Sequence, residues 1–359
     1  MKLKLKKKNL IILIVISLIL IGGITFGLIK VFSGKEETSK TTKNENKEEN
    51  FTNIDNETIN PEVQIVDINS KSRPYAVMIN NLSAARPYHT GLQQAYLVYE
   101  IVVEGGITRY LALFKDNLPE TVGSVRSARH YYLDYAMEND AYYIHWGWSP
   151  QAQSDISTLG INNINGLTYG SPYFFRQKLP VSTEHTGFAN LKAMENLVNI
   201  RKFRTDINKP LLLDYSATNI DIANIENSKE ATKIDLKYSA YFTTNYEYDS
   251  NSNTYKQSVN NKSHTDYETK EQYTVKNIIT YKVPNNNISG DDKGRQNLNN
   301  IGSGDGFLIT GGYSIPIKWH KEKRNEQTIY TYLDGTKIKV NDGNTWIHIV
   351  PENGNISIS

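Results

Sequence analysis

The chain has 359 residues, no cysteine, and 40 lysine and arginine residues against 38 aspartate and glutamate residues. The lack of cysteine excludes disulfides, thiol catalysis, cysteine metal ligands and a lipid carried on an N-terminal cysteine. The formal net charge of +2 includes five lysines among the first eight residues, so the remainder carries about −3, which argues against a nucleic-acid partner.

An uncharged apolar run, Asn9 to Ile29, follows those lysines. About 20 residues at about 1.5 Å each span a hydrocarbon core of about 30 Å, and the cationic flank predicts a cytoplasmic N-terminus. Residues 1–32 are therefore predicted to be a basic flank and a single-pass anchor in the cell membrane, with the later domains extracellular. The alternative is a cleaved signal peptide, although Gly22-Gly23-Ile24 is not a clear cleavage motif.

Residues 33–64 are rich in lysine, glutamate, asparagine and threonine and contain few large apolar side chains. Such a segment cannot bury enough apolar surface to offset the entropy lost on ordering, so it is predicted to be a disordered tether. At about 5 to 6 Å times the square root of its length, its reach is roughly 30 Å.

Residues 65–206 are predicted to form an α+β domain that holds the candidate site. Strands are expected at Tyr75–Ile79, Leu97–Glu104 and Thr108–Phe114, because these runs are rich in residues that favour strands. Gly105-Gly106 between the last two runs indicates a tight hairpin turn, with Glu104 at its tip.

Three helices are predicted in the same region. The first runs from Ala128 to Asn139 with Ser127 as its N-cap, and the second begins at Pro150 after Ser149 and ends before Gly160. The third runs from Phe188 to Asn199, where apolar residues at helical spacing indicate a core-facing side.

Residues 207–359 consist of short alternating runs separated by turn residues such as Asp334-Gly335 and Asp342-Gly343-Asn344. This spacing is typical of antiparallel sheet. The predicted fold class is therefore α+β, with an N-terminal mixed α/β domain followed by a β-rich C-terminal domain, behind a single N-terminal transmembrane helix.

Polar residues in ordered sequence are densest between Glu100 and His185. A carboxylate at a turn beside several arginines is suited to general acid–base catalysis. Burial raises a carboxyl pKa and nearby cations lower it, so the protonation of the group can be tuned. Glu104 is therefore predicted to be catalytic, and Glu100 is a weaker candidate. The alternative for Glu104 is an ion pair that braces the hairpin.

Arg126 and Arg129 stand three residues apart at a helix start, so both guanidinium groups can hold one carboxylate or phosphate. Arg109, His145 and His185 complete the predicted substrate-binding set. Salt bridges or capping for the arginines, and hydrogen-bonded core positions for the histidines, are the alternatives. No H-E-x-x-H motif and no G-x-S-x-G elbow occurs, so neither a metal, a cofactor nor a serine hydrolase is predicted.

Five sequence strings resemble the YerB-like family of bacterial envelope proteins, and the similarity extends from about Ser72 onward. The strings are RPYAVMINN, YLVYEIVVEGGITRYLALF, GSVRSARHYYLDYAMENDAYYIHWG, DGFLITGGYSIPIKWHK and DGTKIKVNDGNTWIHIVP. The resemblance implies an α/β part, a β-rich part, and association with the cell-wall synthesis machinery of Gram-positive bacteria. Members are described as lipoproteins with a two-part domain of unsettled function, and this chain lacks the lipid-bearing cysteine.

The leading functional hypothesis is action on peptidoglycan glycan strands. Only one strong carboxylate candidate, Glu104, is visible, so a lytic-transglycosylase-like route is easier to build than hydrolysis by two carboxylates. The expected partners are peptidoglycan or its fragments and cell-wall synthases, with the membrane reached through the N-terminal helix. The alternative is a non-catalytic binding or scaffold module that regulates those synthases.

Overall fold

The structure is a computed structural model that describes residues 62–359. The predicted anchor in residues 1–32 and nearly all of the predicted tether in residues 33–64 lie outside the described residues. Across residues 62–359, no helix is both long enough and apolar enough to cross a membrane.

The described residues contain three α-helices, namely α1 (His130–Glu138), α2 (Pro150–Thr158) and α3 (Leu191–Ile200). The strands are β1 (Tyr75–Asn80), β2 (Leu97–Val102), β3 (Thr108–Phe114), β4 (Val122–Gly123), β5 (Tyr142–His145), β6 (Asn163–Asn165), β7 (Phe174–Arg176), β8 (Gly187–Ala189), β9 (Asp214–Ser216), β10 (Lys229–Glu230), β11 (Lys233–Lys237), β12 (Thr243–Asp249), β13 (Thr254–Val259), β14 (Lys262–Ser263), β15 (Thr274–Val275), β16 (Asn277–Val283), β17 (Asn285–Asn287), β18 (Gln296–Leu298), β19 (Gly302–Thr310), β20 (Tyr313–Lys321), β21 (Ile329–Tyr332), β22 (Lys339–Asn341), β23 (Thr345–Pro351) and β24 (Asn355–Ile358). The prediction of a mixed α/β region followed by a β-rich region is confirmed.

The central sheet has eleven strands in the order β10-β20-β19-β16-β23-β2-β3-β1-β5-β6, with β21 paired to β20. Two of its middle strands, β2 and β23, are far apart in the sequence but pair in parallel with each other. Every residue of β2 and β23 is buried, as expected for strands covered on both faces. Strands from 65–206 and strands from 207–359 therefore meet in one sheet.

Alternate residues of β2 point to different cores. Tyr99 packs on one face with the tyrosines of α1, whereas Val98 packs on the other face with Ile234 and Leu236 of β11. Strand β11 belongs to a second, six-stranded sheet in the order β14-β13-β12-β11-β24, with β15 paired to β13. The central sheet thus lies between helices on one side and a second sheet on the other.

The predicted hairpin is confirmed. Strands β2 and β3 pair antiparallel, and the connection at Glu104–Gly106 contains Gly105 and Gly106 at φ values of 68° and 69°. A left-handed backbone at two successive positions strains any residue with a Cβ, so this turn requires its glycines. The turn places Glu104 two residues after the end of β2.

Two of the three helix predictions need correction at their N-termini. Ser127 is not the N-cap of α1, because the helix begins after Arg129 and Ser127 Oγ instead donates to Trp146 O at 3.0 Å. Helix α3 begins at Leu191 rather than at Phe188, because Phe188 lies in strand β8. The start of α2 is confirmed, since Ser149 Oγ accepts from Ala152 N at 3.3 Å.

Candidate functional site: an arginine cluster at the β2–β3 hairpin

A backbone segment between β4 and α1 brings the predicted arginines to the hairpin. Arg126 N donates to Met78 O of β1 at 2.8 Å, and Trp146 N donates to Arg126 O at 3.0 Å. The segment is thereby fixed across the ends of β1 and β5. Arg109 comes from the start of β3, where it pairs with Asn80 of β1.

Glu104 is held between two guanidinium groups. Its Oε1 accepts from Arg129 Nε at 2.5 Å, and its Oε2 lies 3.8 Å from Arg109 Nη2, with 19% of the Glu104 side chain exposed. Burial by itself raises the pKa of this carboxyl, but Arg109 and Arg129 outweigh the burial and hold the pKa below its ordinary value. Glu104 is therefore a carboxylate at neutral pH.

Arg109 is the buried member of the cluster. Burial, assisted by the neighbouring charge of Arg129, lowers the pKa of Arg109 to about 10, so the group stays cationic at neutral pH. Its Nη1 donates to Ser127 O, whereas its buried Nε has no hydrogen-bond partner within residues 62–359. An unsatisfied buried donor on a charged group is costly, and an added acceptor would relieve that cost.

Arg126 is the most exposed of the three arginines, with 25% of its side chain exposed. Its Nη2 donates to Glu184 Oε2 at 2.7 Å, and this hydrogen bond is the main reason that the pKa of Glu184 lies below its ordinary value. His185 Nε2 lies 3.5 Å from Glu184 Oε1, and burial lowers the pKa of His185. We call Glu104, Arg109, Arg126, Arg129 and Glu184 the arginine cluster.

His145 is hydrogen-bonded outside this cluster. Its two ring nitrogens lie 2.8 Å from Gly147 O and 3.0 Å from Asn163 Oδ1, and the residue is fully buried. Burial lowers its pKa. None of its hydrogen-bond partners belongs to the arginine cluster, which matches the hydrogen-bonded core position that was the alternative for this histidine.

Glu100, the weaker sequence candidate, lies in a different environment. It is fully buried, its carboxylate accepts from Thr108 Oγ1 at 2.7 Å and Thr244 Oγ1 at 2.9 Å, and its Oε2 lies 3.1 Å from His348 Nδ1. Thr244 lies in the second sheet and His348 in β23. Glu100 therefore joins elements that are far apart in the sequence.

A chain of buried polar contacts continues from His348 towards the arginine cluster. Its successive contacts are His348 Nε2 to Tyr246 OH (2.9 Å), Gln257 Nε2 to Tyr246 OH (2.8 Å), Gln257 Oε1 to His264 Nδ1 (2.6 Å), His264 Nε2 to His89 Nδ1 (2.8 Å), His89 Nε2 to Asn80 O (2.5 Å) and Asn80 Nδ2 to His185 Nδ1 (2.8 Å). We call this set, with Glu100, the buried polar chain. Sequence reasoning missed it because its members are scattered singly among apolar residues, with no common motif.

Within residues 62–359, no group of three or more histidine, aspartate or glutamate residues is arranged to hold a metal ion. The polar groups of the arginine cluster are instead suited to an anion, since guanidinium donors match a carboxylate or phosphate.

Comparison with known proteins identifies the family. Two family models match, described as "Protein of unknown function (DUF3048) N-terminal domain" over residues 63–204 and "Protein of unknown function (DUF3048) C-terminal domain" over residues 234–347. A Bacillus subtilis (strain 168) protein named "Putative lipoprotein YerB" is 32% identical over 295 residues, which cover 81% of this chain and 85% of that protein. The crystal structure of YerB protein from Bacillus subtilis, at 29% identity and a TM-score of 0.68, covers 80% of this chain and 94% of that chain. The chain therefore belongs to the DUF3048 family of YerB-like proteins.

Proposed function

We propose that this chain is a membrane-attached, extracytoplasmic protein that binds carboxylate groups of peptidoglycan through its arginine cluster and does not cleave the glycan. The observation that carries the proposal is the environment of Glu104, which two arginines hold ionised. A general acid must have a proton to give at the working pH, and this environment favours the unprotonated form.

Charge and exposure support binding. Within residues 62–359, Arg109, Arg126 and Arg129 pair with two carboxylates, Glu104 and Glu184, so the cluster retains one net positive charge. Both internal partners are carboxylates, which indicates the class of group that fits these guanidinium forks. Arg126 and the 53%-exposed Glu184 lie where a wall polymer can reach them.

The envelope location is supported by two observations. The related Bacillus subtilis protein carries the name "Putative lipoprotein YerB", and a lipoprotein is attached to a membrane through its lipid. This chain has no cysteine for a lipid, and its apolar run at Asn9–Ile29 offers a different attachment. We therefore propose a single-pass anchor with a cytoplasmic N-terminus and with the residues from 62 onward outside the cell.

The test uses the purified full-length chain and purified peptidoglycan, with sedimentation for binding and mass analysis of the soluble products. Arg126→Gln should weaken binding at least fivefold, whereas the matched control Arg201→Gln, an exposed arginine at the end of α3, should leave it unchanged. Wild-type protein should release no glycan fragments.

Glycan cleavage with Glu104 as acid/base stays a prediction, and the same experiment decides it. Fragments released by wild-type protein and lost in a normally folded Glu104→Gln variant would overturn the binding proposal. Binding that Arg126→Gln leaves intact would also overturn it, because the cluster would then not be the contact surface.

A further inference from the structure

Two neighbouring strands of the central sheet separate before they end. Strands β16 and β19 pair from Asn277↔Thr310 to Tyr281↔Gly306, and there the pairing stops. Strand β16 continues through Lys282 and Val283, which still pair with β23, and β19 extends back to Gly302, still paired with β20. In the described part of the chain, the facing edges of these two extensions have no strand between them.

The gap between the two edges is a cleft of about 600 Å³. Lys282 and Pro284 of the β16 segment line it, as do Gly302 to Phe307 of β19, together with Glu352, Asn355 and Ile356. Asn299 and Pro284, which both line the cleft, are joined by a hydrogen bond from Asn299 N to Pro284 O at 2.9 Å. We call this space the β16–β19 cleft. Its volume is in the range of small-ligand sites.

A buried donor without a partner lies against this cleft. Trp319 lines the cleft and is only 4% exposed, and its indole Nε1 has no hydrogen-bond partner within residues 62–359. Gly304 pairs directly with Trp319 across the β19–β20 ladder, and a Cβ at Gly304 would lie 2.8 Å from this nitrogen. The absence of a side chain at Gly304 therefore leaves the space that the indole of Trp319 occupies beside this strand.

Packing alone explains part of this arrangement. Gly304 and Gly306 are required because a side chain at either position would collide with Trp319 or with Thr280 O. Packing does not explain an edge of four residues without a strand partner, since natural sheets usually cover or block such edges. An edge of this kind is a template for an added strand, and backbone hydrogen bonds then supply the affinity.

We propose that the β16–β19 cleft binds a short extended peptide, which adds to β19 along Gly302–Asp305 as an extra strand. Four residues of edge at about 3.4 Å each accommodate a peptide of three to four residues. Charged residues of both signs line the cleft, namely Lys282, Asp305 and Glu352. This inference does not depend on the arginine cluster or on peptidoglycan binding.

The test follows the indole of Trp319 in the full-length chain by fluorine NMR. The chain has four tryptophans, so labelling with fluorotryptophan gives four signals, and Trp319→Phe identifies the one at the cleft. The probe is N-acetyl-trialanine-amide, and the matched probe carries N-methyl groups on its backbone amides and so lacks the donors that a strand needs. We expect a saturable shift of the Trp319 signal, with at least tenfold weaker binding of the methylated probe.

Two variants on one strand control the location of the binding. Asn355 and Ser357 are both exposed on β24, and Asn355 lines the cleft whereas Ser357 does not. Asn355→Phe should fill the cleft and weaken binding at least fivefold, while Ser357→Phe should leave binding unchanged. An unmoved Trp319 signal, equal binding of the two probes, or equal binding by the two variants would each overturn the proposal.

Discussion

Glu100 and Glu104 belong to the same hairpin, four residues apart, but their surroundings are opposite in kind. Glu100 is fully buried and contacts threonine hydroxyls and His348, which belong to three different strands. Glu104 is partly exposed and contacts two arginines near the end of the hairpin. The comparison indicates that Glu100 stabilises the fold, whereas Glu104 belongs to a surface suited to anions.

The largest expected effect is that of Glu100→Ala on stability. The substitution removes the acceptor for two buried hydroxyls and leaves His348 without its carboxylate, so the free energy of unfolding should fall by about 3 to 5 kcal/mol. Denaturant unfolding measures this loss. A loss below about 1 kcal/mol would contradict the structural role of Glu100.

Acidification tests the buried polar chain as a whole. Burial lowers the pKa of His89 to about 3 and that of His264 well below its ordinary value. Since the unfolded chain protonates its histidines near pH 6.5, it binds more protons than the folded chain between that pH and about 3. Their contribution to stability is therefore complete above about pH 6.5 and is lost as the pH falls.

For His89 alone, the change from pH 7 to pH 5 should cost about 2 kcal/mol of unfolding free energy. His89→Asn should flatten the pH dependence, even though it also lowers stability at pH 7. Unfolding curves of both proteins at the two pH values measure the difference. Equal stability of the wild type at pH 7 and pH 5 would show that these histidines are not buried in the neutral form.

Glu104→Gln should cost less, about 1 kcal/mol, because its ion pairs are partly exposed to solvent. The pKa of Glu104 is depressed, so its contribution is complete above the ordinary carboxyl value of about 4.3 and is lost only below it. The substitution should therefore leave the change in stability between pH 7 and pH 5 unaltered. If stability changed more or less between pH 7 and pH 5 in this variant than in the wild type, Glu104 would be coupled to the buried histidines. The contrast between Glu100 and Glu104 would then be wrong.

The smallest expected effect on stability is that of Glu184→Gln. Glu184 is 53% exposed, so its ion pair with Arg126 should contribute less than about 0.5 kcal/mol to stability. The substitution removes the carboxylate that occupies Arg126, and binding to peptidoglycan should then strengthen severalfold. Weakened binding in the sedimentation assay would show that Glu184 does not compete with the ligand.

Local features of the fold were predictable from the sequence. Gly105-Gly106 indicated the hairpin because two left-handed positions need glycine, and Ser149-Pro150 indicated the start of α2 because a cap and a proline suit the first turn. The N-cap of α1 was mispredicted because Ser127 has a competing partner, the backbone carbonyl of Trp146.

Long-range features were not predictable from one sequence. Strand β23 lies between β2 and β16, and nothing local in its residues specifies those neighbours. Glu100 was ranked below Glu104 because only Glu104 stands at the glycine turn, and the partners of Glu100, Thr244 and His348, come from the distant β-rich region and could not be inferred. The contacts of Arg126 and Arg129 with carboxylates agree with their residue types, whereas their roles towards a ligand stay a proposal.

The central claim is that Glu104 is held as a carboxylate and is therefore a binding partner of arginines rather than an acid. The pKa of this one group is measurable by carbon NMR of glutamate-labelled protein, with Glu104→Gln identifying its signal. A pKa below the ordinary carboxyl value of about 4.3 is the predicted result. A pKa near 6 or above would contradict the account and would restore Glu104 as a general acid.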